Sequence, residues 1–289
     1  MEAATLKPPV NPTVKERALA WIGPFFLLSA AVYYWILTLV LLPIEQPYPK
    51  DLQTLRHRAF SKLWLAKGRA MSAEMPGKTV ALIGLARGRV LDIGPGSGEQ
   101  LHRFNFNDGQ ITELWGVEPA TDMHPLLRET AKKLGFGDKF HPLACGAEPE
   151  SLVPALAKAG LMGQMSGGSA GIFDDICLIR VICGVPQPEE TVNGLYKALK
   201  PGGRFIVSEH VVNPWPQPQG NVIGRVMQFF WQHVGGWKYL MGGCQLNRDT
   251  KSMLLNAAKQ DGGWAKVDLE WVNSWACVPF IVGTLTKKE

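Results

Sequence analysis

The sequence predicts an α/β fold: a mainly parallel seven-stranded sheet with helices on both faces, preceded by an N-terminal membrane helix. Three observations carry this. Beyond residue 80, short apolar runs alternate with helical patterns, and such alternation builds parallel sheets through helical crossovers. The first apolar run ends in a glycine-rich turn. Upstream, Ala18–Leu42 holds 25 residues without a charge.

Composition narrows the function classes. The 289-residue chain is 46% hydrophobic and 19% charged, too apolar for disorder. Its length allows one or two domains. Its five cysteines (145, 177, 183, 244 and 277) include no CxxC and no zinc spacing, so free thiols in a reducing compartment and no metal are expected. The net charge of +5 lies wholly in residues 1–70, where nine basic residues face four acids. A nucleic-acid binder concentrates basic charge on its folded domain, so no nucleic-acid partner is expected.

Residues 1–17 read as a tail and 18–42 as a membrane anchor. Roughly 20 apolar residues span a bilayer as a helix. A signal peptide has a shorter apolar core of about 7–15 residues followed by a small-residue cleavage site. Here Leu-Leu-Pro-Ile-Glu-Gln-Pro follows instead. A kink at Pro24 keeps a shallow or hairpin insertion open beside a single span. Lys50, Arg56, Arg58 and Lys62 after the run favour a C-terminal side in the cytoplasm. Residues 43–79 form a basic linker, with Leu52, Leu55, Ala59, Leu63 and Ala66 on one helical face. That helix lies on a membrane surface or packs as a lid on the domain at 80–289.

Within that domain the strands are 89–93, 114–117, 139–144, 172–181, 204–211, 266–271 and 278–285. Helices begin at Gln100 and cover 121–134, 149–159, 189–199 and 249–259. Gly163–Gly171 (GQMSGGSAG) reads as a flexible linker. Ligands of such sheets bind beyond the carboxyl ends of the strands, at the switch point.

The glycine turn there reads Asp92-Ile93-Gly94-Pro95-Gly96-Ser97-Gly98-Glu99. It lacks the Lys of a phosphate loop, and its G-x-G-x-G spacing departs from the dinucleotide fingerprint. Glu99 near the turn is unfavourable for a pyrophosphate. A ligand with an amine and hydroxyls suits it better. An acid roughly 20 residues beyond such a turn binds ribose hydroxyls in this architecture, and Glu118 lies 24 residues after Gly94. Glu148, after the third strand, is placed to meet an adenine amino group. Neither acid is expected in the core.

These motifs resemble the Rossmann-like class I S-adenosylmethionine-dependent methyltransferases, through the DIGPGSG turn and Leu199-Lys200-Pro201-Gly202-Gly203-Arg204. A closer resemblance is to the membrane-anchored methyltransferase-like protein 7 family of alkyl-thiol methyltransferases. It is carried by residues 181–185 (VICGV), by Glu209-His210-Val211, and by residues 230–250 from Phe-Trp-Gln-His to Gly-Gly-Cys-Gln-Leu-Asn-Arg-Asp-Thr. Pro95 departs from that family's usual Cys. The resemblance implies S-adenosylmethionine as cofactor. It implies that Gly94, Gly96 and Gly98 admit the methionine part and that Asp92 orients the turn or reaches the ammonium. Glu118 then binds ribose, Ala147 and Glu148 hold adenine, and Arg180 and Val181 border the methyl.

Transfer to a thiol needs little general base, because a thiol of pKa about 8.5 is already partly thiolate. A hydroxyl acceptor needs more. His210 and His233 are the candidates for a catalytic role; Cys183 reads as a small packed residue. Residues 212–246 are rich in aromatics and Met, suiting a lid over an apolar pocket or a membrane contact. The expected activity is methylation of a small lipophilic thiol or hydroxyl acceptor at a membrane lipid bilayer, by a monomer. In a eukaryote the expected membrane is the endoplasmic reticulum or the lipid droplet. A catalytically silent, anchored cofactor-binding or structural protein is the alternative, and a nicotinamide-dependent oxidoreductase is disfavoured by the turn spacing.

Overall fold

The computed structural model describes residues 12–106, 109–161 and 171–289. Seven strands form one sheet: β1 (Gly88–Ile93), β2 (Ile111–Val117), β3 (Phe140–Leu143), β4 (Phe173–Ile179), β5 (Leu199–His210), β6 (Lys266–Val272) and β7 (Phe280–Thr286). Their order is β3-β2-β1-β4-β5-β7-β6. The β1–β2, β2–β3, β1–β4 and β4–β5 pairs are parallel, and β7 runs antiparallel to both β5 and β6. The chain winds outward from β1 to β3 and then returns to β4 on the other side of β1. The crevice of the switch point therefore opens at the carboxyl ends of β1 and β4.

Strand side chains alternate between faces, which splits the core in two. Leu91, Ile93, Ile176, Leu178, Phe205 and Val207 pack one face. There they meet α5 (Pro149–Lys158), α6 (Pro188–Ala198) and α9 (Thr250–Ala257) through Leu152, Leu195 and Leu254. Val90, Cys177, Ile179 and Ile206 face α3 (Thr79–Gly84) and α4 (His124–Lys133) through Ile83 and Leu127. These strands are buried on both sides, so they read as continuous apolar runs rather than alternating ones.

Two expectations are corrected. Among the described residues between β1 and β2 there is no α-helix, only a 3-10 turn at Leu101–Arg103. Phe104, with extended backbone, ends the helical path after that single turn. β5 starts at Leu199, five residues earlier than expected, because a register shift between Phe173 and Asp175 absorbs Lys200–Gly203. The linker at 163–171 lies outside the described residues except for Gly171.

The N-terminal segment is a 28-residue helix, α1 (Val14–Leu41), with Thr13 and Glu16 forming a capping box. It is long and apolar enough to cross a membrane by length and composition, and only 22% of its most apolar window is buried. One face, through Leu28 and Ala31, packs into a cluster with Leu63, Trp237, Met241 and Leu246. These come from α2 (Leu52–Met71), α8 (Trp237–Leu240) and the residues after it. The opposite face leaves Ile22, Phe25, Phe26, Val32, Ile36 and Val40 exposed.

Of the two fates open to α2, the structure displays packing on the domain. Its buried residues are Ala59, Ser61, Leu63 and Gly68, whereas Leu52 and Ala66, expected on the inner face, are exposed. Arg56 donates to the Lys238 carbonyl, Arg58 to that of Pro47, and Lys62 pairs with Glu45.

Residues 212–246 fold into α7 (Val222–Phe229), a π turn at Phe230–Val234, and α8. Asn213 and Gln228 tie the segment down. Asn213 donates to the Ser274 and Ala276 carbonyls, and Gln228 donates to those of Val211 and Leu246. The outer side carries exposed Val226, Phe229, Phe230 and Val234. Trp231 Nε1 donates to the Trp21 carbonyl at 2.8 Å, joining this segment to α1.

Candidate active site

The glycine turn leaves β1 with Gly94 at φ +67° and Gly96 at φ +61°, backbone that only glycine adopts without strain. A Cβ on Gly94 would stand 2.8 Å from Val181 Cγ2, and one on Gly96 would stand 2.5 Å from Trp64 Nε1 and 2.8 Å from Glu99 Oε2. Gly98, the third, has its own Cβ position 3.1 Å from Leu101 and Thr130. The turn is thus open only where side chains are absent, and α2 roofs it.

Three carboxyl groups surround this turn. Asp92 is buried at the end of β1, with Oδ2 lacking any partner. Burial, and then the neighbouring charges of Glu118 and Glu99, push its carboxyl up to about 8. Glu118 accepts from Gly96 N at 3.0 Å and from Ala120 N at 2.9 Å. Burial raises its carboxyl despite those two bonds. At 6% exposed, Glu118 is a core residue, which corrects the expectation of an accessible acid. The reason is its placement after the buried end of β2, where it braces the glycine turn. His124 on α4 contacts the Glu118 carbonyl at 2.8 Å.

A pyrophosphate is repelled by such a surround; a cationic amine or sulfonium is attracted. An orphaned buried carboxylate oxygen and a cradle that any Cβ would fill therefore fit S-adenosylmethionine. Residues after β3 complete the strand ends. Ala147 is buried, and the Glu148 carboxylate folds back over Gly146, whose Cβ position is 2.0 Å from Glu148 Oε2. Burial, and then Glu148, push the Cys145 thiol up to about 11.

Beyond β4, Arg180 holds a left-handed backbone at φ +56°, unusual for a residue other than glycine. Its guanidinium lies over the Trp64 ring and donates to the Met71 carbonyl and to Ser72 Oγ. Glu209, at the end of β5, accepts from Val181 N and Ile182 N at 2.7 and 3.0 Å. Burial pushes it up to about 6.

His210 is buried next to it. Its Nε2 lies 3.2 Å from Cys244 Sγ, to which Trp237 Nε1 also donates at 3.2 Å. Cys183 joins them: these sulfur and nitrogen atoms all lie within 4.8 Å of one another. Contact with Cys183 and then with His210 lowers the Cys244 thiol against the opposing effect of burial.

The structure thus brings together Asp92, the three glycines, Glu118, Arg180 and Val181 at the carboxyl ends of β1, β2 and β4, with His210 buried at the end of β5 and Ala147 and Glu148 after β3. It does not bring His233 there. That ring is exposed against Phe229, and Gln232 beside it turns inward to accept from Leu246 N. Helical phase decides this, because adjacent residues point to different sides of a helical turn. Sequence reasoning passed over Trp64, whose only signal was its place on the lid-helix pattern, and Cys244, which sits 61 residues from Cys183.

Comparison with known proteins agrees with this geometry. Residues 55–244 match the methyltransferase domain family. Thiol S-methyltransferase TMT1B of Rattus norvegicus is 30% identical over 132 residues, 44% of this chain and 47% of the rat protein, so the match spans about half of that relative. Ubiquinone/menaquinone biosynthesis C-methyltransferase UbiE of Klebsiella pneumoniae is 23% identical over 198 residues, 66% of this chain and 72% of that protein. Among solved structures, PigF with SAH has a TM-score of 0.51 at 15% identity and covers 93% of this chain and 73% of PigF, a likeness of fold. With that family matched over more than half its length, and with the sheet order, glycine turn and acid-lined crevice in place, the chain belongs to the methyltransferase domain family, whose methyl donor is S-adenosylmethionine.

Proposed function

We propose that this protein methylates the sulfur of a small lipophilic thiol that reaches it from a membrane surface. One observation carries the reading: a continuous chain of side-chain contacts joins the apolar helix α1 to the end of β5. Leu28 and Ala31 of α1 pack in one cluster with Trp237, and the Trp237 indole touches Cys244, which touches His210. The thiol acceptor is supported by the name of the rat relative; the UbiE relative names a carbon acceptor, so the acceptor needs direct test.

In this reading residues 80–289 are the catalytic domain, 18–42 are the anchor and 43–79 supply the roof. The anchor is monotopic, because α1 lies along the domain with one face buried on it. The exposed faces of α1 and α7 enter the lipid together.

Bound S-adenosylmethionine supplies an electrophilic sulfonium methyl. Gly94, Gly96 and Gly98 let its methionine part approach the backbone, and ionised Asp92 faces the ammonium. Glu118 keeps lone pairs for the ribose hydroxyls while holding the turn through Gly96 N. Ala147 and Glu148 border the adenine. Trp64 and Arg180 close the roof and exclude water, and Val181 packs beside Gly94 at the acceptor end. His210 lines the acceptor side. No strong base is needed for a thiol.

The test is full-length protein in lipid vesicles, with labelled S-adenosylmethionine and a panel of alkyl thiols, phenols and glutathione. Lipophilic thiols should be labelled fastest. Preference for glutathione, a phenol or a carbon acceptor would overturn the proposal.

A further inference from the structure

Near the carboxyl ends of β4 and β5 lie three side chains able to ligate a metal, which the sequence spacing conceals. Cys183 follows β4, His210 ends β5 and Cys244 follows α8. The fold draws their Sγ, Nε2 and Sγ atoms into a group no wider than 4.8 Å, with the His210–Cys244 contact at 3.2 Å. A tetrahedral zinc ion, with Zn–S about 2.3 Å and Zn–N about 2.0–2.1 Å, sets its ligand atoms roughly 3.5–3.8 Å apart. The group reaches that spacing with side-chain shifts of an ångström or less.

Packing alone accounts poorly for this cluster. Thiols are weak hydrogen-bond partners, yet two of them enclose an imidazole that is 6% exposed and whose Nδ1 lacks a partner. One contact resembles a bound ion's outer shell: Trp237 Nε1 donates to Cys244 Sγ. The Cys183 thiol donates to the Arg180 carbonyl at 3.7 Å, a weak bond that ligation of an ion would replace. Two thiolates, a neutral imidazole and a divalent ion sum to zero charge, which suits a buried site.

We infer that Cys183, His210 and Cys244 bind one soft divalent cation of the zinc type, with a fourth position open for the acceptor's sulfur. Three protein ligands and one free position is the pattern of a catalytic rather than a structural zinc site. Binding releases one proton from each cysteine thiol that ionises. An incoming thiol that ligates the ion gives up its own proton to solvent and is held as thiolate. When its sulfur gains a methyl group and the donor sulfonium becomes a thioether, the product is a neutral thioether. That is a weaker ligand and leaves. The acceptor role rests on the thiol reading above; the cation site does not.

The experiment uses full-length protein purified in detergent under reducing conditions without chelator. Elemental analysis should find about one zinc per chain. Removing it and adding Co2+ should produce the visible bands of tetrahedral cobalt and a thiolate charge-transfer band. Cys183→Ser and Cys244→Ser should weaken Co2+ binding by more than the roughly 10–100-fold typical of outer-shell changes, with Trp237→Phe inside that range. Cys145→Ser and Cys277→Ser should bind like wild type. Circular dichroism and S-adenosylmethionine binding confirm folding in each case. A small alkyl thiol should shift the cobalt spectrum, and the matching alcohol should not.

Folded wild-type protein with neither zinc nor a cobalt spectrum would overturn the site, as would a Cys183–Cys244 disulfide in the reduced preparation. A cobalt spectrum blind to the thiol would overturn the acceptor role alone. None of these readouts depends on methyl transfer, so failure of the thiol reading and failure of the cation site remain distinguishable.

Discussion

Trp64 of α2 stands against Gly96 of the turn after β1: a Cβ on that glycine would come within 2.5 Å of the indole nitrogen. α2 is therefore part of the wall of this turn. α1, α2 and the glycine turn form one continuous stack ending at Gly96.

Gly96→Ala should weaken S-adenosylmethionine binding by roughly tenfold or more, since a left-handed backbone alone costs a non-glycine residue about 1–2 kcal/mol. Trp64→Ala in the same chain relieves the clash but not the strain. Calorimetric titration should place the double variant between Gly96→Ala and wild type. A double variant no better than Gly96→Ala would mean that Trp64 does not set the room at this turn.

Glu118→Gln should lower S-adenosylmethionine affinity by roughly 10- to 150-fold, because a hydrogen bond to a charged group contributes about 1.5–3 kcal/mol. It should also lower the melting temperature of the ligand-free protein, because Glu118 is buried and accepts from Gly96 N and Ala120 N. Glu148→Gln, at a half-buried position, should change affinity less and stability little. Wild-type affinity in a folded Glu118→Gln protein would remove the ribose from this strand end.

Asp92 gives a pH dependence of defined sign. Its folded value is near 8, raised by burial and then by Glu118 and Glu99, against about 3.9 in an unfolded chain. The folded state therefore holds the proton more tightly. The stability this lends is fully present below the unfolded value and is lost as pH rises through about 8. The ligand-free protein should melt lower on the alkaline side, and Asp92→Asn should flatten that decline. Ligand binding should run the other way. A cationic ligand needs the carboxylate, so affinity should rise through the same region and binding at neutral pH should release a proton. Calorimetry in two buffers of different ionisation enthalpy measures that release. Its absence would mean that Asp92 does not face the ligand's positive charge.

The proposed membrane face can be tested without disturbing the core. Phe26 is 66% exposed on α1 and Phe229 is 60% exposed on α7. A Lys at bilayer depth costs about 2.5–3.5 kcal/mol. Phe26→Lys and Phe229→Lys should each reduce vesicle partitioning by tens- to hundreds-fold while leaving the melting temperature nearly unchanged. Unchanged partitioning in both would place the membrane contact elsewhere. Deleting α1 is a poorer probe, because Leu63, Trp237 and Met241 would lose their cover.

The strand runs were legible because parallel strands buried on both faces must be apolar throughout. Asp92, the glycine turn and Glu118 were legible because a switch-point crevice demands a glycine turn after one strand and an acid after the next. The shortness of the helix after β1 was not, because only the extended backbone at Phe104 shows that the chain leaves the helical path after one 3-10 turn. His233 was misplaced for a related reason: an aromatic-rich stretch does not reveal which residue of a π turn faces inward.

What the sequence determined by itself was local: apolar period, turn chemistry, caps, and the charge-free run of α1. Those depend on neighbours a few positions apart. Only the tertiary structure decided the rest. It buried Glu118 beneath the turn it holds, laid Trp64 over Gly96, and drew Cys183, His210 and Cys244 from three distant segments to one point. These are contacts across 22 to 61 residues of chain, such as the Gly96–Glu118 bond and the Cys183–Cys244 pair. Such contacts follow from how sheet order stacks the strand ends, and no spacing within the chain encodes them.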